Sequence, residues 1–215
     1  MISPEMIFRM LLVVLASYLI GSIPTGYLFA RSRGVDIFKV GSGNMGATNV
    51  ARIGGIGWGI VVWLIDSSKG IVSILLATAV ILPEDKVLAT MLAAIFSIIG
   101  HNWSIFIGLL TGKIRGGKGA ATAFGTLVII MPVYVIAGML ILGGFIIART
   151  RIVSLAVLAM FSTAALAMIV LLGLQLAPWP YTVGSLIIVA IVFYRFRDNI
   201  KRLQTGTERR LGDPA

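Results

Sequence analysis

The sequence predicts an all-α, polytopic membrane protein with about seven transmembrane helices, some of them short, the N-terminus outside and the C-terminus cytoplasmic. Three observations carry that prediction. Hydrophobic residues make up 58% of the chain, and its mean hydropathy is +1.02. Charged residues make up 12%, about half the share usual in a soluble domain. Several apolar runs also reach the roughly 20 residues that cross a bilayer core of about 30 Å.

Taken in order, the first span covers about 6–29 and ends at Arg31, Arg33 and Lys39. It is too long for a signal peptide, lacks a small-residue cleavage site and is followed by further spans. A polar, glycine-rich segment runs to Gly55, and a second span covers about 57–82. The turn Pro83-Glu84-Asp85-Lys86 is short and nearly neutral, and a third span over about 87–110 leads to Lys113, Arg115 and Lys118. Basic connections stay in the cytoplasm, which places the N-terminus and the Pro83 turn outside. As one helix, 120–147 would put Arg149, Arg151 and the basic tail outside. A reversal near Met131-Pro132-Val133 avoids this and divides the stretch into spans of about 120–131 and 134–148. A helix of about 12 residues rises only about 18 Å, so the first of the two must be partial, tilted or sheltered by protein. Residues 152–173 exit, Gln175 to Tyr181 turns outside, and 182–194 returns. All cations except Arg9, Lys69 and Lys86 then lie at the cytoplasmic face, and residues 1–215 read as a single integral-membrane domain.

Composition narrows the chemistry. The chain has no cysteine, one histidine and eight acidic residues, which leaves little to build a metal cage. No metal, cofactor or protein partner is expected. The net charge of +10 is read as topology-setting cations at a lipid bilayer, with no nucleic-acid role.

Three cytoplasmic segments are richer than connectors need to be. The first is Gly41-Ser42-Gly43-Asn44-Met45-Gly46-Ala47-Thr48-Asn49-Val50-Ala51-Arg52. Glycines allow positive φ and close backbone approach, so successive N–H groups can converge on an anion. A helix starting near Ala47 would aim its free N–H groups at the same point. Ser42, Asn44, Thr48 and Asn49 offer hydrogen bonds, and Arg52 can pair with phosphate. The second segment is Arg115-Gly116-Gly117-Lys118-Gly119-Ala120-Ala121-Thr122. It leads into an apolar helix but lacks the Gly-Lys-Ser/Thr spacing of a Walker loop. The third, Arg195 to Leu203 with Gly206 and Glu208, reads as a short interfacial helix. Within the spans, Asp66 and Lys69 are spaced to pair on one helix face. His101 opens the polar group Gly100-His101-Asn102-Trp103, and Ser154 stands where it can cap a helix or touch substrate.

These residues resemble the motifs of the acyl-phosphate-dependent glycerol-3-phosphate acyltransferases of the PlsY type. The resemblance rests on 41–52, on Gly100-His101-Asn102 followed by Gly116-Gly117-Lys118-Gly119, and on Arg-x-x-x-Asn-Ile-x-Arg-Leu over 195–203. It implies transfer of a fatty acyl group from acyl phosphate to glycerol-3-phosphate, without metal, acyl carrier protein or coenzyme A. Carried over, it assigns catalysis to Ser42, Arg52, Lys118 and Asn199. Gly41, Gly43, Asn44, Gly46, Thr48, Asn49, Gly116, Gly117, Gly119, His101 and Ser154 are expected to bind substrate or phosphate. The chain departs from the family pattern by extra residues around Leu109 to Lys113 and by Phe196 where histidine is common. Two other functions suit such a chain. A transporter of a phosphorylated solute would place its site near the midplane, and a head-group phosphotransferase would need clustered carboxylates.

Overall fold

A computed structural model describes residues 3–213, and all its named elements are helices. Ser3 caps α1 (Pro4–Ser22) by accepting from the Met6 amide at 3.1 Å, and Pro4 starts the helix where a missing N–H costs nothing. Ile23 and Pro24 separate α1 from α2 (Thr25–Ser32). α3 (Ala47–Gly54) precedes α4 (Ile56–Leu76), which a π-helical turn extends over Ala77–Ile81. Asp85 caps α5 (Lys86–Asn102), which is followed by α6 (Ile105–Thr111), α7 (Ala120–Ile130) and α8 (Val133–Thr150). α9 (Val153–Gly173), α10 (Trp179–Arg195) and α11 (Arg197–Gln204) complete the order, with α11 bent 60° from α10.

Each apolar run expected to span is helical, but two are interrupted. The first breaks at Pro24, which has no amide hydrogen to continue the ladder. There the buried Lys69 ammonium donates to the Ile23 carbonyl at 2.6 Å while pairing with Asp66. The third run does not continue to residue 110. α5 ends at Asn102, and Ser104 starts α6 by accepting from the Ile107 amide at 3.2 Å and donating to the Ser22 carbonyl at 2.5 Å. Serine's ability to bond nearby backbone favours such a boundary. The break expected at Met131-Pro132 is present, with Met131 extended between α7 and α8.

Among the described residues, four helical stretches are long and apolar enough to cross a membrane, namely α1 with α2, α4 with its π turn, α8 and α9. The bent α10–α11 pair adds a fifth, and α5 and α7 are apolar but shorter. Lipid gives helices no hydrophobic reason to associate, so close packing between small residues carries more of the contact. A Cβ at Gly21 would meet the Ser97 carbonyl and one at Gly100 the Tyr18 carbonyl, so α1 and α5 pack backbone to backbone. Gly70 and Gly125 do the same between α4 and α7. α8 pairs with α9, and α9 reaches the other helices through α10. The two helix groups therefore leave a cleft between α4 with α7 and α8 with α9.

Gly100→Val should force α1 from α5 and cost about 1–3 kcal/mol, as overpacking typically does. Thermal unfolding of the detergent-purified protein should show the drop. Gly57→Ala, at a glycine whose Cβ would meet open space, should leave the transition near its wild-type position.

Candidate active site

The first glycine segment is held by one side chain. Asn49 is fully buried. Its Oδ1 accepts from the Ser42 amide at 3.0 Å, and its Nδ2 donates to the carbonyls of Ile37 (3.2 Å), Val40 (3.2 Å) and Asn44 (2.9 Å). Gly41 (φ +55°) and Gly43 (φ +63°) make the backward turns that wrap the segment around it. The Asn44 Oδ1 accepts from the Gly46 amide and its Nδ2 donates to Ser42 Oγ, both at 2.9 Å. Helix α3 starts at Ala47, where expected, and Gly46 provides no side-chain cap for its first amides. Helical periodicity turns Thr48, Ala51 and Arg52 toward a cavity and Asn49 away from it. Asn49 is thus a clamp for the loop, where substrate contact was expected, because all its bonding capacity is spent on backbone.

The second segment lies flat on the end of α5. The Gly117 amide donates to the His101 carbonyl at 3.1 Å. A Cβ at Gly116 would strike that carbonyl, and one at Gly117 would strike His101 Nε2. Gly117 lines neither cavity described below, so its expected phosphate contact is replaced by a packing role. Gly119 (φ +74°) then turns the chain into α7. His101 is itself buried, with Nδ1 3.9 Å from Asp66 Oδ1 and without a hydrogen-bond partner among the described residues.

Lys118 joins this segment to the third. Its ammonium donates to Asn199 Oδ1 at 2.5 Å and lies 5.1 Å from the centre of the Phe196 ring. The Asn199 Nδ2 donates to Glu208 Oε1 at 2.6 Å. Ser154 Oγ donates to the same oxygen at 2.9 Å, and Arg202 Nε to Glu208 Oε2 at 2.7 Å. Ser154 sits inside α9 and serves Glu208, with Ile152 in the capping position. Burial pushes the Lys118 ammonium down to about 8 from its usual 10.5, and Arg202 and Arg195 push the same way against Glu208 and Asp198. Burial, and then the charge of Arg209, lowers Arg52.

A cavity of about 880 Å³ runs from these polar groups into the cleft between the helix groups. Its polar end includes Ser42, Arg52, Lys118, Ser154 and Asn199, with Gly41, Asn44, Gly46, Thr48 and Gly119 around them. Its apolar walls include Ile60 and Trp63 of α4, Phe124 of α7, Leu140 of α8 and Met160 of α9. Asp66 and His101 also reach it. A second cavity of about 220 Å³ adjoins it, and Gly43 and Gly116 face that one.

A family model described as glycerol-3-phosphate acyltransferase matches residues 11–206. The chain belongs to the glycerol-3-phosphate acyltransferase family. A relative of that name from Thermus thermophilus is 44% identical over 205 residues, covering 94% of this chain and 95% of the relative. One from Geotalea daltonii is 41% identical over 198 residues, covering 92% and 95%. The crystal structure of PlsY (YgiH), an integral membrane glycerol 3-phosphate acyltransferase, in its glycerol 3-phosphate form, is also similar. It shows 35% identity at a TM-score of 0.82, with 94% of this chain and 96% of that chain covered. Its lysophosphatidic acid form gives 35% identity and a TM-score of 0.80.

Two features of this acyltransferase were not assigned from sequence. Glu208 lies in a basic tail without a motif of its own, yet it is the carboxylate on which Ser154, Asn199 and Arg202 converge. Its one visible signal is an acid isolated among cations. Phe196 is buried against Lys118, so in place of a ring nitrogen it offers an aromatic face. Residues 109–113, expected to exceed the family pattern, fall at the end of α6 and just after it, and none of them lines either cavity.

Lys118 is charged below about pH 8 and neutral above it. A step that needs its charge should therefore weaken as pH rises through that value, seen as an alkaline limb in kcat/KM. Lys118→Arg, permanently charged, should remove the limb. Phe196→Leu should move it lower by up to about one pH unit, the size expected for a lost cation–π contact, and Phe196→Trp should restore it.

Proposed function

We propose that this family member transfers a fatty acyl group from acyl phosphate to the sn-1 hydroxyl of glycerol-3-phosphate, forming lysophosphatidic acid. The reaction would occur at the cytoplasmic face of a bacterial inner membrane. The carrying observation is one cavity that joins a cationic, hydroxyl-rich end to an apolar cleft. A donor with a fatty tail and an anionic head is suited to both halves, and an acceptor phosphate needs only the polar end. The likeness to a relative solved in glycerol 3-phosphate and lysophosphatidic acid forms supports this reading.

Acyl phosphate is a mixed anhydride with a good leaving group, so the protein's task is to position two anions and neutralise their repulsion. Arg52, Asn199 and Ser154 serve the acceptor's phosphate. Lys118, bonded to Asn199, and Ser42 serve the donor's. The acceptor hydroxyl attacks the donor carbonyl carbon, the new C–O ester bond forms, and the anhydride C–O bond breaks with its electron pair leaving on phosphate. The hydroxyl proton passes to a phosphate oxygen, so no side-chain base is required. Amides at the start of α3, beside Thr48, would stabilise the charge on the carbonyl oxygen.

Purified protein given palmitoyl phosphate and labelled glycerol-3-phosphate should yield labelled lysophosphatidic acid with or without chelator. Solute uptake without product would replace this reading by transport. Arg52→Ala should lower kcat/KM about 10- to 150-fold, the loss of one charged hydrogen bond worth 1.5–3 kcal/mol. His101→Ala should retain turnover. Its abolition in a folded, substrate-binding variant would restore a histidine base.

Seven spans, with the N-terminus outside and the C-terminus inside, follow if α5 and α7 complete their crossings in the shelter of neighbouring helices. The chain has no cysteine, so single replacements report sidedness cleanly. Cysteine at Lys113 or Thr207 should label only from the cytoplasm, and cysteine at Glu84 only from outside.

A further inference from the structure

The smaller cavity is separated from the larger by Ser42, Asn44 and Lys118, which line both. Its chemistry differs. Phe38 is its one apolar side chain, and Arg115, Lys118, Arg195 and Arg197 face it with Asp198 as the one carboxylate. Two of these cations are fixed in place. The Arg115 guanidinium lies 3.6 Å from the centre of the Phe38 ring. Arg195 donates through Nη2 to the Gly117 carbonyl at 2.7 Å and sits 5.1 Å from the centre of the Trp103 ring. The Nε atoms of both arginines are buried without a hydrogen-bond partner among the described residues. Buried, unspent guanidinium donors are costly unless an anion uses them.

We propose that this second compartment is a phosphate site through which the leaving group of the acyl transfer departs to water. The inference rests on the acyl-phosphate reading above. After transfer, the lipid product has its tail in the apolar cleft and its own phosphate among Arg52, Ser154 and Asn199, so the polar end of the larger cavity is occupied. The released phosphate is a small dianion that cannot leave through lipid. Lys118 faces both compartments and can pass it across the partition, where Arg115 and Arg195 receive it. Arg197, the exposed cation of the set, lies on the way out. An apolar tail finds no aliphatic wall on that side, so the compartment separates the two products by polarity.

The test is calorimetric titration of the detergent-purified full chain with inorganic phosphate, alone and with saturating glycerol-3-phosphate. Phosphate should still bind when the acceptor is present. Arg115→Gln and Arg197→Gln should each weaken that binding about tenfold or more, as expected for a lost charged contact. Glycerol-3-phosphate titrated into the same variants should bind within twofold of wild type, which also shows that they are folded. In turnover, the inhibition constant for added phosphate should rise in parallel. Mutual exclusion of phosphate and glycerol-3-phosphate in the wild type would overturn the proposal, because both would then share one site. So would unchanged phosphate affinity in both variants, or a raised KM for palmitoyl phosphate without a change in phosphate affinity, which would make this the donor's head-group site. If the wild type binds phosphate as described but makes no lysophosphatidic acid from palmitoyl phosphate, the donor assignment fails and the phosphate site stands.

Discussion

The hydrogen bond from Lys118 to Asn199 joins the parts of the chain on which the site depends. Lys118 lies in the glycine segment that enters α7, and Asn199 lies on α11 after the last long helix. Through Asn199, Glu208 connects to Ser154 at the start of α9 and to Arg202 one turn along α11. A partly buried ammonium is costly to keep charged, and its pKa of about 8 reflects that cost. The amide oxygen and the Phe196 ring offset part of it. The charge therefore remains where two cavities meet, at the point a transferring phosphate would have to pass.

The same constraint explains why the polar chemistry gathers at helix boundaries. Within lipid, backbone groups must be satisfied by their own helix, so free amides and carbonyls occur only where helices start, stop or break. At Pro24 the ladder breaks, and the Ile23 carbonyl accepts from the Thr25 amide at 3.1 Å and from Lys69 at 2.6 Å. At α3 the first amides have no side chain to cap them. The glycines divide the work. Gly41, Gly43 and Gly119 supply positive φ, whereas Gly116 and Gly117 let the loop lie against His101.

The C-terminal segment is part of the site. Arg151 donates through Nε to the Leu211 carbonyl at 2.9 Å, and the Leu211 amide donates back to the Arg151 carbonyl at 2.6 Å. This double contact holds the tail across the start of α9, and Glu208, Arg209 and Leu211 contribute to the cavity wall. Cations read from sequence as membrane-orienting charges thus also build and close the pocket.

Sequence alone determined the membrane class, the helical runs and the first glycine segment as a phosphate-binding candidate. Each depends on local properties: apolar length, hydropathy, and the φ freedom and hydrogen-bonding capacity of neighbouring residues. It also located the helix start at Ala47 and the break at Pro132, which proline and glycine impose locally. Tertiary structure decided what each polar side chain faces. Asn49 and Thr48 are adjacent and similar in polarity, yet one is spent on backbone carbonyls and the other lines the cavity. Gly116 and Gly117 differ in the same way. Glu208 gains its place only because α11 bends from α10 and the tail packs against Arg151, which brings residues 154, 199 and 202 to its carboxylate. Local pattern cannot carry that information, since it depends on which helix faces meet across long sequence separations.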